Sequence, residues 1–344
     1  MIRAISLAAL CLAILCSGPT ETSAPPVLAS ATSPPAADDI AFSSRRDGNW
    51  EIYVMDALGR NQTRLTRRDA EDRFPLWSPD RQQIAFASLV GSTWELWVMD
   101  SNGRNPRRLA TEIVAKSARG WSRDNRRIVY AAGREGTTGI YVVDVASALS
   151  WRLTTSLGEH RDPAWSPDDA HVVFSSTRDG GSHIYVTSAE GRKGRQLTSG
   201  QASDVSPRWS PDGNAIVFGS DRDGTRDLYV IQAQDGRLER LTTGAGVTRD
   251  PPLWSPDGSA IAFQIADGEN YEVGVVRLSD RSRSLLASSS AYDGSYAWAP
   301  DGKRVAFISG RDGFDGLFTV DADGRNPVRL TATASLTPAW GSQR

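Results

Sequence analysis

Apolar positions fall in short runs, broken by clusters of Gly, Pro, Asp, Asn and Ser. Runs such as Ile84-Ala85-Phe86, Ile128-Val129-Tyr130, Val172-Val173-Phe174 and Ile216-Val217-Phe218 are β-branched or aromatic and bounded by turn formers, which is the signature of β-strands. No stretch after the N-terminus carries an apolar period of 3.6 residues long enough for a substantial helix. The runs recur in a fixed order. A Pro-x-Trp-Ser-Pro-Asp-Gly segment, clearest at Pro207–Gly213, is followed by an Ile-Ala-Phe type run. An Ile-Tyr-Val-Met-Asp type run follows, as at Leu96-Trp97-Val98-Met99-Asp100, and the unit ends near Arg-Leu-Thr, as at Arg240-Leu241-Thr242. Each unit therefore predicts a four-stranded antiparallel sheet. Arg-Asp-Gly, at residues 46–48, 178–180, 222–224 and 311–313, marks a tight hairpin between its second and third strands.

The tryptophans fix the number of units. Trp77, Trp121, Trp165, Trp209, Trp254, Trp298 and Trp340 are spaced by 44, 44, 44, 45, 44 and 42 residues, and a period in the 40s denotes one supersecondary unit copied around an axis. Sheets apolar on both faces must stack face to face, and radial stacking around a channel leaves only short, protected edges. The first copy begins in mid-unit at Ile40-Ala41-Phe42, without a Trp segment; the last, Thr337-Pro338-Ala339-Trp340, is a Trp segment alone. Together they complete one blade. The expected fold is all-β: a seven-bladed β-propeller of four-stranded antiparallel blades, closed by pairing of its N- and C-terminal strands. A Trp repeated at the same place in every blade is expected to pack between blades. Asp80, Asp124, Asp168, Asp212, Asp257 and Asp301, three residues after successive Trp, are expected to serve turns rather than acid–base catalysis, since a catalytic pair is made once and not six times.

Composition adds little to this. The formal net charge of −2 over 344 residues gives no global basic field for nucleic acid or an anionic membrane. Residues 1–24 read as a signal peptide, with Arg3 ahead of the apolar stretch Ala4–Leu15, a run too short to span a bilayer. Residues 25–37, rich in Pro, Ala and Ser, read as a disordered leader, and 38–344 as the propeller. Both cysteines, Cys11 and Cys16, fall in the N-terminal segment. A periplasmic or secreted protein is expected, with lipid anchoring through Cys16 as the alternative.

The succession Pro-x-Trp-Ser-Pro-Asp-Gly, Ile-Ala-Phe-x-Ser, Arg-Asp-Gly, Ile-Tyr-Val-Met-Asp and Gly-Arg-Asn-x-x-Arg-Leu-Thr resembles the TolB-type (WD40-like) propeller repeat over roughly residues 38–344. The resemblance implies a periplasmic propeller that binds proteins through one face and the mouth of its channel. Two departures stand out. TolB proteins carry a separate α/β domain before a six-bladed propeller; here the propeller starts almost at once and counts seven. Similar repeats also form the propeller of prolyl-oligopeptidase-like peptidases, but no Gly-x-Ser-x-Gly is present; Gly120-Trp121-Ser122-Arg123-Asp124 lacks the second glycine.

If the Trp strand is innermost, the residue near its N-terminal end lies at the face that carries the Arg-Asp-Gly hairpins. These positions are Asp72, Lys116, His160, Asp204, Arg249, Asp293 and Ser335, with Arg161, Asp162, Asp250, Arg46, Arg178, Arg222 and Arg311 around them. They vary while the scaffold repeats, as a binding surface on a symmetric scaffold should; the bland alternative is ordinary solvated loop charge. The binding residues proposed from sequence are Asp72, Lys116, His160, Arg161, Asp204, Arg249, Asp250 and Asp293. No catalytic or metal residue and no cofactor is expected. The expected function is extracytoplasmic, non-catalytic recognition of an envelope or secreted protein or peptide by a monomer. A lyase or hydrolase of acidic sugars, using His160, Lys116 and Arg249, is one alternative; a sugar- or small-ligand-binding propeller is another.

Overall fold

A computed structural model describes residues 38–340 other than 116–119, 135, 193, 249, 269 and 287–290. The expected signal peptide and leader, with Cys11 and Cys16, lie outside the described residues, as do Lys116 and Arg249. No helix among the described residues is long and apolar enough to cross a membrane.

The described strands form seven four-stranded antiparallel sheets. In each, the Trp-bearing strand is innermost: Glu71–Trp77 in blade 2, Gly120–Trp121 in blade 3, His160–Trp165 in blade 4, Asp204–Trp209 in blade 5, Leu253–Trp254 in blade 6 and Asp293–Trp298 in blade 7. Blade 1 is the composite expected from the chain ends. Its inner strand Ser335–Trp340 pairs with Ile40–Ser44 in the register Ile40↔Trp340, Ala41↔Ala339, Ser43↔Leu336 and Ser44↔Ser335. The Trp340 indole N–H donates to the Asp38 carbonyl at 2.9 Å, so the last inner strand is held by the first residues of the propeller.

Burial peaks in the middle strands of each blade and is least at the outer edge. The second strand of blade 5, Ala215–Ser220, is buried throughout, whereas its outer strand Leu238–Arg240 is mostly exposed. Short outer strands keep the free edges small. Between them, Phe–Tyr pairs face each other across the second and third strands: Phe42–Tyr53, Phe174–Tyr185 and Phe218–Tyr229 stack at centroid separations of 5.7, 5.9 and 6.1 Å.

Neighbouring blades are joined at three radii. Near the axis, the indole N–H of one blade reaches the carbonyl just before the Trp of the blade behind it: Trp121 to Leu76 at 3.2 Å, Trp165 to Gly120 at 3.1 Å, Trp254 to Arg208 at 3.2 Å and Trp298 to Leu253 at 3.0 Å. At the Ser-Pro-Asp turns, Asn125 accepts from the Asp80 amide (2.9 Å) and Asp169 from the Arg123 and Asp124 amides (2.7 and 3.0 Å). At the rim, the glycine of the turn after the third strand lies against the previous blade. A Cβ on Gly103 would stand 2.8 Å from the Leu65 carbonyl, and one on Gly59 2.8 Å from that of Leu330. Their φ values of +83° and +78° also suit glycine alone.

The repeated aspartates do turn chemistry. Ser210 Oγ donates to Asp212 Oδ1 at 2.5 Å, and that oxygen accepts the Asn214 amide at 3.0 Å; Ser78–Asp80, Ser122–Asp124 and Ser255–Asp257 repeat the bond. The serine hydroxyl holds the Asp168, Asp212 and Asp257 carboxyls below the usual carboxylate range. Asp321-Ala322-Asp323-Gly324 is likewise a turn, with the Gly324 amide on the Asp321 carbonyl at 2.8 Å.

Candidate functional site

The inner strands are not regular. In blades 1, 2, 4, 5 and 7 the pairing slips by a residue, and at each slip one non-glycine residue adopts a left-handed backbone: Thr337 (φ 50°), Phe74 (57°), Asp162 (54°), Ser206 (56°) and Ser295 (42°). All stand three residues before the Trp. Such a bulge re-aims the chain at a barrel rim, and left-handed backbone at non-glycine residues costs roughly 1–3 kcal/mol each. Neither Phe nor Thr announces this in sequence. The bulges divide the channel into an end at the Arg-Asp-Gly hairpins and an end at the Ser-Pro-Asp turns.

At the hairpin end the structure brings the proposed ring residues together with arginines, but not as an open ring of charge. Asp72, His160, Asp204, Asp293 and Ser335 are wholly buried; Arg161 and Asp250 are half-buried. The burial has a direct cause. Each described ring residue lies at or next to the start of its inner strand, opposite a serine of the second strand, as in Asp72↔Ser88, His160↔Ser176, Asp204↔Ser220 and Asp293↔Ser309, and an arginine of the same blade lies close by. Arg222 reaches Asp204 at 2.9 Å and Ser220 Oγ at 2.9 Å while stacking on Tyr229, 4.9 Å from the ring centroid. Arg311 does the same with Asp293 (3.8 Å), Ser309 (2.8 Å) and Phe318 (5.0 Å). Arg46, with no acid at position 335, binds Ser44 Oγ at 3.1 Å and covers Tyr53 at 4.6 Å. Arg178 lies on Tyr185 at 3.7 Å.

Blade 2 lacks the Arg-Asp-Gly hairpin yet has the same clamp. Arg68, from the segment before its inner strand, donates to Asp72 at 2.7 Å and Ser88 Oγ at 2.8 Å and lies 4.0 Å from the Trp97 centroid. Sequence reading passed over Arg68 because no hairpin motif marks it. The hairpin aspartates complete the device: the Tyr53 hydroxyl donates to Asp47 at 2.5 Å, and the hydroxyls of Tyr185 and Tyr229 donate to Asp179 and Asp223. Burial, with the aspartate bond second, pushes the Tyr53 and Tyr229 hydroxyls up to about 12. A planar guanidinium held on an aromatic face and hydrogen-bonded below is a preorganised donor. This mouth presents arginines, with the acids as their supports.

The histidines do not converge. His160 Nε2 is 3.1 Å from the Ser156 carbonyl, and burial lowers its pKa. His183 Nδ1 faces Asp204 at 3.8 Å, and His171 is exposed at the opposite end of the blade's second strand. Among the described residues no three His, Cys, Asp or Glu side chains are grouped to hold a metal ion.

At the other end, the channel forms a cavity of about 820 Å³ lined by prolines such as Pro75, Pro163 and Pro338, by inner-strand tryptophans other than Trp298, and by Tyr296. Arg208 projects into this wall.

The family follows from the repeat together with this closure. A family model described as the TolB beta propeller domain (PD40) matches residues 90–344. The chain belongs to the TolB β-propeller family. Among solved structures, TolB from Acinetobacter baumannii is 19% identical with a TM-score of 0.56, over 88% of this chain and 82% of that one. Oligogalacturonate lyase from Vibrio parahaemolyticus is 16% identical with a TM-score of 0.69, over 82% and 85%. A puromycin-hydrolyzing peptidase of Mycobacterium tuberculosis is 16% identical with a TM-score of 0.68, over 86% of this chain but 52% of the peptidase. At such identities the likeness is one of fold, and a shared fold does not carry a shared function.

Proposed function

We propose that this TolB-type propeller is an extracytoplasmic, non-catalytic binding module that recognises a protein or peptide through its hairpin face. The observation that carries this reading is the set of guanidinium clamps, Arg46, Arg68, Arg178, Arg222 and Arg311, built on one face of the described blades. Side chains already fixed in place lose little entropy on binding. The second and third strands of blades 2, 4 and 6 are also longer than those of the other blades, reaching eight or nine residues, and raise the rim around the mouth. On this reading the clamp arginines, with Arg161, Asp250, Lys116 and Arg249 around them, contact the partner, while Asp72, His160, Asp204 and Asp293 hold the scaffold beneath. Burial of His160, one candidate base for turnover of acidic sugars, favours binding over catalysis at that residue. The N-terminal apolar segment supports export, which cell fractionation tests.

The decisive experiment is recovery of partners from envelope extract by wild-type protein and by an Arg45→Glu/Arg161→Glu/Arg249→Glu variant. Arg45 is exposed beside Trp50, so reversal there spares the buried pairs. Loss of the recovered protein with an unchanged Tm is expected; equal recovery moves the contact off this face.

A further inference from the structure

The residue just before each Trp turns toward the turn end of the channel, and among the described blades six of these positions are apolar or bare: Leu76, Gly120, Ala164, Leu253, Ala297 and Ala339 line the cavity. The seventh is Arg208. Its guanidinium bonds carbonyl oxygens, Pro207 at 2.6 Å and Asp162 at 3.4 Å, and forms no ion pair with a carboxylate of the described residues. Two groups act on its charge: the Asp162 side chain, which accepts from Ser206 Oγ at 3.4 Å, and the Tyr296 hydroxyl, which donates to the Pro251 carbonyl at 2.8 Å. Loss of water lowers the Arg208 pKa, with Asp162 and Tyr296 only partly offsetting it. A cation placed among Pro, Trp and Leu costs stability, and the repeat itself shows that leucine fills the same position in blades 2 and 6.

We propose that the turn end of the channel is a ligand site for a carboxylate carried on an apolar body, with Arg208 as the charge that receives it. The wall fits an apolar body rather than a sugar, because prolines and indole faces offer few hydrogen bonds while Arg208 offers a planar pair of donors matched to a carboxylate. The site lies at the opposite end of the channel from the hairpin face and does not depend on the partner proposed there.

The same chemistry comes from a free apolar acid or from the C-terminus of an apolar peptide, and the test separates them. Because indoles line the cavity, intrinsic tryptophan fluorescence reports binding. Octanoate is titrated against octan-1-ol and octylamine, and acetyl-trileucine acid against its amide. At least one acid should bind tenfold or more tightly than its neutral counterpart, since a charge-assisted pair is lost with the charge, and octylamine should not bind. Arg208→Leu should weaken that acid at least tenfold while melting at the same or a higher temperature, which separates a lost ligand from a lost fold. Asp162→Asn, which keeps a side chain tolerant of the left-handed backbone, should tighten acid binding by removing the competing carboxylate. If neither acid exceeds its neutral counterpart, or Arg208→Leu binds the acid as wild type does, the site is not an anion site and the proposal is wrong.

Discussion

Single residues in this repeat can be judged against their own copies. Trp298 is 1% exposed and donates to the Leu253 carbonyl at 3.0 Å, whereas the Trp209 indole N–H has no partner among the described residues. Trp298→Ala should cost about 3–5 kcal/mol. Trp298→Phe keeps most of the packing but strands a buried carbonyl, at about 1–3 kcal/mol, while Trp209→Phe leaves no such orphan and should cost less. Thermal melts that put the two Phe variants level would deny the indole bond a stabilising role. The turn aspartates allow a second comparison. The folded Asp212 pKa lies below the ordinary aspartate value of 3.8 because Ser210 donates to it. Its contribution is therefore complete above 3.8 and lost as pH falls through the lower, folded value. Ser210→Ala should lower Tm at neutral pH, and the gap to wild type should narrow in melts below pH 3.8. A remainder should persist, since Ser210 Oγ also accepts the Ala215 amide at 2.9 Å. A gap that does not change with pH would mean that the carboxylate contributes nothing.

At the scale of strands and turns, sequence and structure agree where the period controls the answer and part where a side chain's surroundings do. Strand order, hairpin positions and the structural role of the repeated Trp and Asp were legible, because alternation and turn chemistry are local. The described ring residues lie at the hairpin end of the channel, but their burial was not legible: position alone does not tell that Arg222 will lie over Asp204. Arg68 was hidden because it stands in for the arginine of an Arg-Asp-Gly motif that the blade 2 hairpin lacks, and Arg208 because the Trp beside it masks a break in the pattern. The rim glycines were recorded only as turn formers, yet they also set the distance between blades. Gly103 (φ +83°) has the Leu65 carbonyl 2.8 Å from a built Cβ, while Gly236 (φ +72°) has nothing within 4 Å. Gly236→Ala should thus cost only backbone strain, of order 1 kcal/mol, and Gly103→Ala should cost strain plus the displacement of a neighbouring blade, about 2–4 kcal/mol in all. Equal denaturant midpoints for the two variants would show that the blades yield freely at the rim.

For the whole molecule, the closing strand governs cooperativity. A stack of sheets that contact only their neighbours behaves as a one-dimensional array, whose ends fray and whose units melt semi-independently. A ring has no ends. Here the seal is the pairing of Ser335–Trp340 with Ile40–Ser44, reinforced by the Trp340 bond to Asp38 and the Gln62 Nε2 bond to the Leu330 carbonyl at 3.0 Å. Blade 1 also shares a core with blade 7: Ile40, Phe42 and Trp340 pack with Ala297, Ile308 and Leu317. Removing residues 335–344 would therefore strip the inner strand of blade 1, expose Ile40 and Phe42 to the channel and leave blades 1 and 7 with unmatched faces. The expected result is a broadened unfolding transition, in which the calorimetric enthalpy exceeds the van't Hoff value, with early hydrogen exchange in residues 40–64 and 293–330 while blades 3 to 5 stay protected. A single sharp transition at the wild-type Tm would mean that inter-blade packing alone holds the ring and that strand pairing at the seal adds nothing to its stability.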